Sequence, residues 1–175
     1  FDALTITFGT AGTGGFAIKN DSITSYSPYL QNVVTIFMIL FGINFSFYYI
    51  LLMKKFKQAF KLSEVRTYLL IILSAVLLIA FNIRGMYSND MGEALHHSAF
   101  QVASIITTTG YATTDFNLWP ELSRTILVIL MFIGACAGST GGGIKVSRII
   151  ILVKSITKEL NQFVHPKSVR KIQFD

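Results

Sequence analysis

Long apolar stretches alternate with short polar ones along this chain, at a spacing set by a bilayer. From Leu30 to Met53 apolar residues run with interruptions mainly at Asn32, Asn44 and Ser46, and as one helix this stretch would be about 36 Å long. That length crosses a hydrocarbon core of about 30 Å with some tilt. Thr67 to Ile83 is shorter and nearly pure Leu, Ile, Val and Ala, and predicts a second crossing. Between them Lys54, Lys55, Lys57, Lys61 and Arg66 stand against a single acid, Glu64. The positive-inside rule makes residues 54–66 a cytoplasmic basic loop, with the first span running inward and the second outward.

The next apolar segment behaves differently. Met91 to Ile106 has helical apolar character but carries Glu93, His96, His97 and Gln101, too short and too polar to cross. It runs at once into Thr107-Thr108-Thr109-Gly110-Tyr111 and then Thr113-Thr114-Asp115, which predicts a re-entrant helix and loop. Non-helical backbone at membrane depth survives only where it is buried in protein or lines a watery path. From Pro120 to Phe163 the pattern stays helix-compatible at both ends, yet a straight helix would measure roughly 66 Å, twice what a bilayer needs. The break is expected at Gly134-Ala135-Cys136-Ala137-Gly138-Ser139-Thr140-Gly141-Gly142-Gly143, a run with no large side chain, because Gly costs a helix about 1 kcal/mol relative to Ala. The helix is expected to resume at Ile144 and to end in a basic segment, Lys154 through Lys171, again cytoplasmic. Half-helices joined near the middle of a membrane are a pattern of transporters and gated pores.

Composition sharpens this picture. Apolar residues make up 52% and charged residues 14%, with mean hydropathy +0.56, against roughly a quarter charged in soluble domains. The net charge of +6 reads as Lys and Arg flanking membrane segments, not as a nucleic-acid surface. The single cysteine, Cys136, excludes an internal disulfide framework or a multi-cysteine metal site and reads as a small packing residue. His96 and His97, being adjacent, point about 100° apart on a helix and do not form a metal pair; polar packing at the mouth of the re-entrant helix is expected. Trp119 beside Pro120 fits an interfacial aromatic anchor. The chain opens at Phe1 with no initiator Met and no signal-peptide pattern, and is expected to be an internal piece of a longer protein.

An internal repeat supports the re-entrant reading. A shift of 95 residues places Gly15-Phe16-Ala17 on Gly110-Tyr111-Ala112, Thr13 on Thr108 and Asn20 on Asp115. Each copy orders a short half-helix, a Thr/Gly loop, an outward polar turn, a proline (Pro28 or Pro120) and a long apolar helix. Consecutive backbone carbonyls can cage a dehydrated alkali cation if the strand turns them to one side, which Gly permits. The half-helix C-terminus before each loop adds partial negative charge. The arrangement suits a K⁺-sized cation better than an anion. Asp115 beside the outer mouth attracts cations or is an ordinary exposed turn carboxylate; both readings stand. Ordinary external turns and a flexible Gly linker are the plainer alternatives, but turns need no half-helix before them, and a linker is not expected within a helical stretch. Gly141-Gly142-Gly143-Ile144-Lys145 does not meet the phosphate-loop pattern.

The sequences Thr107 to Phe116 and Gly134 to Val146, with Lys158-Glu159-Leu160 and His165-Pro166, resemble the Trk/Ktr/HKT potassium-transport superfamily, in particular its TrkH/KtrB-type membrane subunits, over essentially the whole chain. The resemblance implies an all-α polytopic membrane protein of helix–pore-loop–helix repeats, K⁺-channel-like, with two of four represented. Residues 1–53 would be the second repeat's pore helix, filter loop and closing helix, residues 67–163 the third repeat, and residues 164–175 a cytoplasmic segment. It implies K⁺-coordinating backbone at Gly12, Thr13, Gly14, Gly15 and at Thr107, Thr108, Thr109, Gly110, with Gly15 and Gly110 going with K⁺ selectivity. It also implies a gate at Gly138, Ser139, Thr140, Gly141, Gly142 and Gly143, with Lys145 at its edge as an electrostatic barrier or latch.

With the first and fourth filter loops missing, the piece is not expected to conduct alone. The implied activity is K⁺ uptake across the cell membrane by a multi-pass, non-enzymatic protein. K⁺ is the transported ion, and neither a cofactor nor a transition-metal site is expected. The implied partners are membrane lipid, the remaining repeats of the parent chain, a second copy in a homodimer, and a cytoplasmic RCK-type nucleotide-binding regulatory subunit, with no nucleic acid. Lys145 and Arg148 are costly facing lipid, so a water-filled path or a carboxylate elsewhere in the parent is expected, with snorkelling as the alternative. From another class, a secondary transporter binding a small solute at a broken helix fits the same pattern. An intramembrane hydrolase does not, for want of paired catalytic residues.

Overall fold

The computed structural model describes residues 1–164, and these form helices joined by short turns and two Thr/Gly loops. Helix α1 (Asp2–Ala11) leads into the first loop, and α2 (Pro28–Phe41) leaves it. Pro28 occupies the first turn of α2, where its missing N–H costs nothing, and Ser27 caps the helix by accepting from Leu30 N at 3.4 Å. After α3 (Phe45–Leu52) and the single turn α4 (Phe56–Ala59) comes α5 (Ser63–Ile83). Helix α6 (Met91–Ile106), capped by Asp90 on Gly92 N at 2.7 Å, leads into the second loop. Then α7 (Glu121–Ile133) and α8 (Val146–Val164) flank the Gly-rich segment.

The apolar run from Leu30 to Met53 is not one helix. Helices α2 and α3 meet at 89° across Gly42, Ile43 and Asn44. Three contacts turn the chain there. The Asn44 side chain caps α3 by accepting from Ser46 N at 2.8 Å. The Tyr68 hydroxyl occupies the place a Cβ at Gly42 would take, and donates to Ile39 O at 3.2 Å. The backbone groups freed by the bend pair with the Gly-rich segment, Cys136 N to Gly42 O and Phe45 N to Gly138 O, both at 3.0 Å.

Among the described residues, one helix is long and apolar enough on its own to cross a membrane, the 24-residue stretch Ser63–Met86 formed by α5 and the turn after it. It starts at Ser63, earlier than the apolar pattern at Thr67, so Glu64 belongs to the helix and is buried. The bent α2–α3 pair passes the same measure only when taken together. Helix α6 keeps its expected bounds and packs against α5, α2 and α7. The chain does break within Gly134 to Gly143, but helix resumes at Val146, not Ile144. There Lys145 N bonds to Ile133 O and Val146 N to Ala135 O, both at 3.0 Å, so the returning backbone is held on the end of α7.

One apolar cluster joins α5, α6, α7 and the start of α8, and a smaller one joins Ile6, Val34, Met38, Phe100 and Tyr111 between α1, α2 and α6. Trp119 lies inside the larger cluster with 2% exposure, packed in protein and not standing out as an interfacial anchor. Outward faces carry Leu70, Leu73 and Phe81 on α5 and Ile129 and Phe132 on α7, as expected of surfaces that meet lipid or further protein. His165, Pro166 and the basic residues Lys167 to Lys171 lie outside the described residues, as does all but Val164 of the segment 164–175.

Candidate functional site

The two Thr/Gly loops share one backbone conformation. Gly12 and Thr107 both have φ −84°, the first at the end of α1 and the second at the end of α6. The next residues turn left-handed, Thr13 at φ 49° and Thr108 at 58°, and two residues on Gly15 has φ 65° and Gly110 88°. A single left-handed residue after a helix is the common C-cap, made also by Lys54 at φ 57° after α3; what the two loops share beyond it is the second left-handed residue, Gly15 or Gly110. Both loops thus alternate between the two hands at successive residues, with their first N–H groups turned toward the helix they leave.

Those N–H groups are returned to the preceding helix by matched bonds. Gly12 N reaches Phe8 O at 2.9 Å and Thr107 N reaches Ala103 O at 3.2 Å. Thr13 N reaches Thr10 O at 3.3 Å, and Thr108 N reaches Ile105 O at 3.0 Å. Gly14 N and Thr109 N reach Gly9 O and Ser104 O, both at 2.9 Å. The threonine hydroxyls match too, Thr13 donating to Gly12 O at 2.8 Å and Thr108 to Thr107 O at 2.6 Å.

The loops also touch each other. Tyr111 reaches across to donate to Phe16 O at 3.2 Å, its counterpart 95 residues earlier. Its hydroxyl fills the space a Cβ would need at Gly9, so a glycine in the middle of α1 admits it. At Gly15 the Thr109 carbonyl lies where a Cβ would project, so the two loops meet backbone to backbone. Ile23 N to Ala112 O at 3.2 Å and Ala112 N to Ser22 Oγ at 3.1 Å continue the seam outward. Beyond it Tyr26 donates to the Asp2 carboxylate at 2.6 Å, tying the start of α1 to the turn before α2; this bond pushes the phenol up to about 12.

The Gly-rich segment lies against both loops. The Thr13 hydroxyl, whose one proton is shared between Gly12 O and Thr140 O, lies 3.0 Å from Thr140 O, and Thr108 Oγ1 accepts from Gly142 N at 2.7 Å. A Cβ at Gly141 would meet Ala135 on one side and Thr107 O at 3.0 Å on the other, so this segment needs its glycines to fit. Lys145, left-handed at φ 81°, donates its ammonium to Gly141 O of the same segment. Within this chain a carbonyl of the Gly-rich segment takes up part of that charge. Arg148 is exposed on α8. Cys136 is fully buried in the core. Asp115 is exposed and accepts from Asn117 N at 2.9 Å.

Sequence reasoning did not find four participants, namely Gly9, Gly42, Asn44 and Glu64. Glu64, 6% exposed, accepts from Ala137 N at 2.6 Å and Asn44 Nδ2 at 3.3 Å. Its sequence signal was hidden by the lysines around it, although an acid at the start of an apolar helix was visible. His96 bonds Gln31 Oε1 at 2.7 Å and Asn32 Oδ1 at 2.9 Å on α2, while His97 bonds Thr113 Oγ1 at 3.1 Å and stacks on Tyr87. The two rings thus pin α6 to different neighbours. Among the described residues no group of three or more His, Cys, Asp or Glu side chains is placed to hold a metal ion.

The family model for TrkH, a cation transport protein, matches residues 1–175. Trk system potassium uptake protein TrkG of Escherichia coli K12 is 34% identical over 174 residues, covering 98% of this chain and 36% of the relative. Trk system potassium uptake protein TrkH of Halomonas elongata is 30% identical over 171 residues, 97% of this chain and 36% of the relative. The crystal structure of the potassium transporter TrkH from Vibrio parahaemolyticus superposes with a TM-score of 0.90 at 32% identity, covering 98% of this chain and 38% of that one. The chain thus spans a little over a third of the length of the relatives it matches.

Proposed function

The chain belongs to the TrkH family of cation transport proteins, and from that premise we propose that it carries two pore-loop units of a potassium uptake pathway. Residues 12–15 and 107–110 line the path with backbone carbonyls that replace the hydration shell of K⁺. The Gly-rich segment from Gly138 to Gly143, with Lys145, closes the path on the inner side and moves aside to open it. The observation that carries this reading is the matched backbone: the same alternation of hand and the same returned N–H bonds in two loops 95 residues apart. An ordinary helix cap, such as the one at Lys54, has the first left-handed residue but not the second at glycine two positions on. Cation preference is further supported by the two helix C-termini that end at the loops.

The same reading sets the surroundings. The parent protein is a multi-pass protein of the cell membrane, with residues 54–66 on the cytoplasmic side, further pore-loop units completing the ring of carbonyls, and lipid against the outward apolar faces of α5 and α7. A homodimer and a cytoplasmic RCK-type nucleotide-binding subunit follow from the family resemblance. The test is K⁺ and Na⁺ flux through the full-length parent carrying Gly110→Ser. No atom lies within 4 Å of a Cβ at Gly110, but φ 88° strains any side chain there. Discrimination between the ions is expected to fall while the protein stays assembled; unchanged discrimination contradicts the filter assignment.

A further inference from the structure

Among the described residues Glu64 is the one charged side chain that is buried. A buried carboxylate is tolerated only where donors satisfy it, and Glu64 finds two that do not belong to its own helix. One is the backbone of the Gly-rich segment, Ala137 N at 2.6 Å; the other is Asn44 Nδ2 at 3.3 Å, in the bend between α2 and α3. The Asn44 Oδ1 is already committed to the start of α3. The two carboxyl oxygens take one donor each, Oε1 from Ala137 N and Oε2 from Asn44 Nδ2, so one side chain serves both. The bend meets the segment directly as well, through Cys136 N to Gly42 O and Phe45 N to Gly138 O. Nothing in the proposed conduction chemistry uses Glu64, yet it sits where three elements converge.

We propose that Glu64 is the positioning residue that holds the Gly-rich segment in its blocking place, clamping its entry at Ala137 to the bend at Asn44. Opening then requires the Ala137–Glu64 bond to part, so a displacement of the α2–α3 bend is transmitted to the gate through one carboxylate. This rests on the reading of the segment as a gate. It adds that the segment is latched at its entry by Glu64 as well as further along, where Thr13 and Thr108 each hold it by one hydrogen bond.

The experiment uses the full-length parent in proteoliposomes with two readouts: K⁺ flux, and the rate at which N-ethylmaleimide modifies Cys136, followed by mass of its peptide. Cys136 is fully buried beside Ala137, so its labelling reports displacement of the segment's entry independently of conduction. Glu64→Ala is expected to raise both basal flux and labelling rate by about tenfold, as loss of a charge-assisted bond shifts a two-state equilibrium. Glu64→Gln keeps an acceptor for Ala137 N but turns an NH2 toward Asn44 Nδ2, so it is expected to shift both readouts about as far as Asn44→Ala and less than Glu64→Ala. Asn44→Ala leaves that bond in place and is expected to shift both readouts the same way by less; it also decides the matter if Glu64→Ala fails to assemble. Deletion of Gly138 to Gly143 is the control for the gate itself. A deletion that raises flux while Glu64→Ala and Asn44→Ala change neither readout overturns the clamp and leaves the gate standing. A deletion that leaves flux unchanged overturns the gate, and the clamp with it as a gating device, even if labelling of Cys136 accelerates. Glu64→Gln behaving like Glu64→Ala also overturns the clamp.

Discussion

The first helix–loop–helix unit, α1 to α2, and the second, α6 to α7, have the same loop backbone and different surroundings within residues 1–164. In the second, Tyr111 is 1% exposed and α6 is packed on three sides; in the first, the equivalent Phe16 is 76% exposed and Leu4 and Phe8 of α1 face outward, a surface open to the further units proposed for the parent protein. Both following helices then break after a similar length, α2 after 14 residues at a tight bend and α7 after 13 residues at a long glycine-rich segment, and the two breaks clasp each other. The lesson is that the loop conformation is set from within each unit, by the N–H bonds to its own half-helix. What differs between the units is how each is seated on its neighbour.

The sharpest test of that difference is at the paired glycines. Gly15→Ala drives a methyl into the Thr109 carbonyl and adds left-handed strain, so it combines about 1–2 kcal/mol of conformational cost with about 1–3 kcal/mol of overpacking. Substitution at Gly110 carries the conformational part alone. Thermal unfolding of the detergent-solubilised parent is expected to show Gly15→Ala as clearly the less stable, and ion flux to show weakened K⁺ discrimination in both. Equal stability breaks the claim that the loops meet backbone to backbone at Gly15.

Next in size is the seam residue. Tyr111→Ala removes a buried ring and is expected to cost about 3–5 kcal/mol, by comparison with other large aromatic truncations. Tyr111→Phe loses only the hydroxyl bonds to Phe16 O and Ile6 O, about 1 kcal/mol. Chemical denaturation that ranks the two the other way removes the ring's role in seating one unit on the other.

The smallest effects separate the two threonines that touch the Gly-rich segment. Thr13 donates to the Gly-rich segment and Thr108 accepts from it. Thr13→Val and Thr108→Val each lose one such bond, about 1 kcal/mol, and are expected to raise basal K⁺ flux by about fivefold. Serine at either position keeps the hydroxyl and should stay near the original flux. If valine and serine behave alike, the hydroxyls do not hold the segment.

How much of this was legible in the sequence depends on the distance over which each feature is determined. The bounds of α6, the two Thr/Gly loops and the break after Ile133 follow from local composition, and they were expected close to where they lie. The bend at Gly42 to Asn44 was not, because a run with one Gly and one Asn reads as continuous helix. What turns it is Tyr68 on another helix and a segment almost a hundred residues later. Glu64 was grouped with the lysines beside it in sequence, yet its side chain belongs to the Gly-rich segment, a partner 73 residues away that charge patterning does not reveal. Trp119 likewise matched an interfacial pattern but is claimed by the core.

The central claim is that the carbonyl edges of residues 12–15 and 107–110 bind a K⁺-sized cation. Anomalous diffraction from crystals of the full-length parent soaked in Tl⁺ tests it most directly. The account predicts peaks along a line bounded by both loops and displaced by K⁺, with their loss in Gly110→Ser. Tl⁺ confined to other parts of the molecule, with both loops empty, would contradict it.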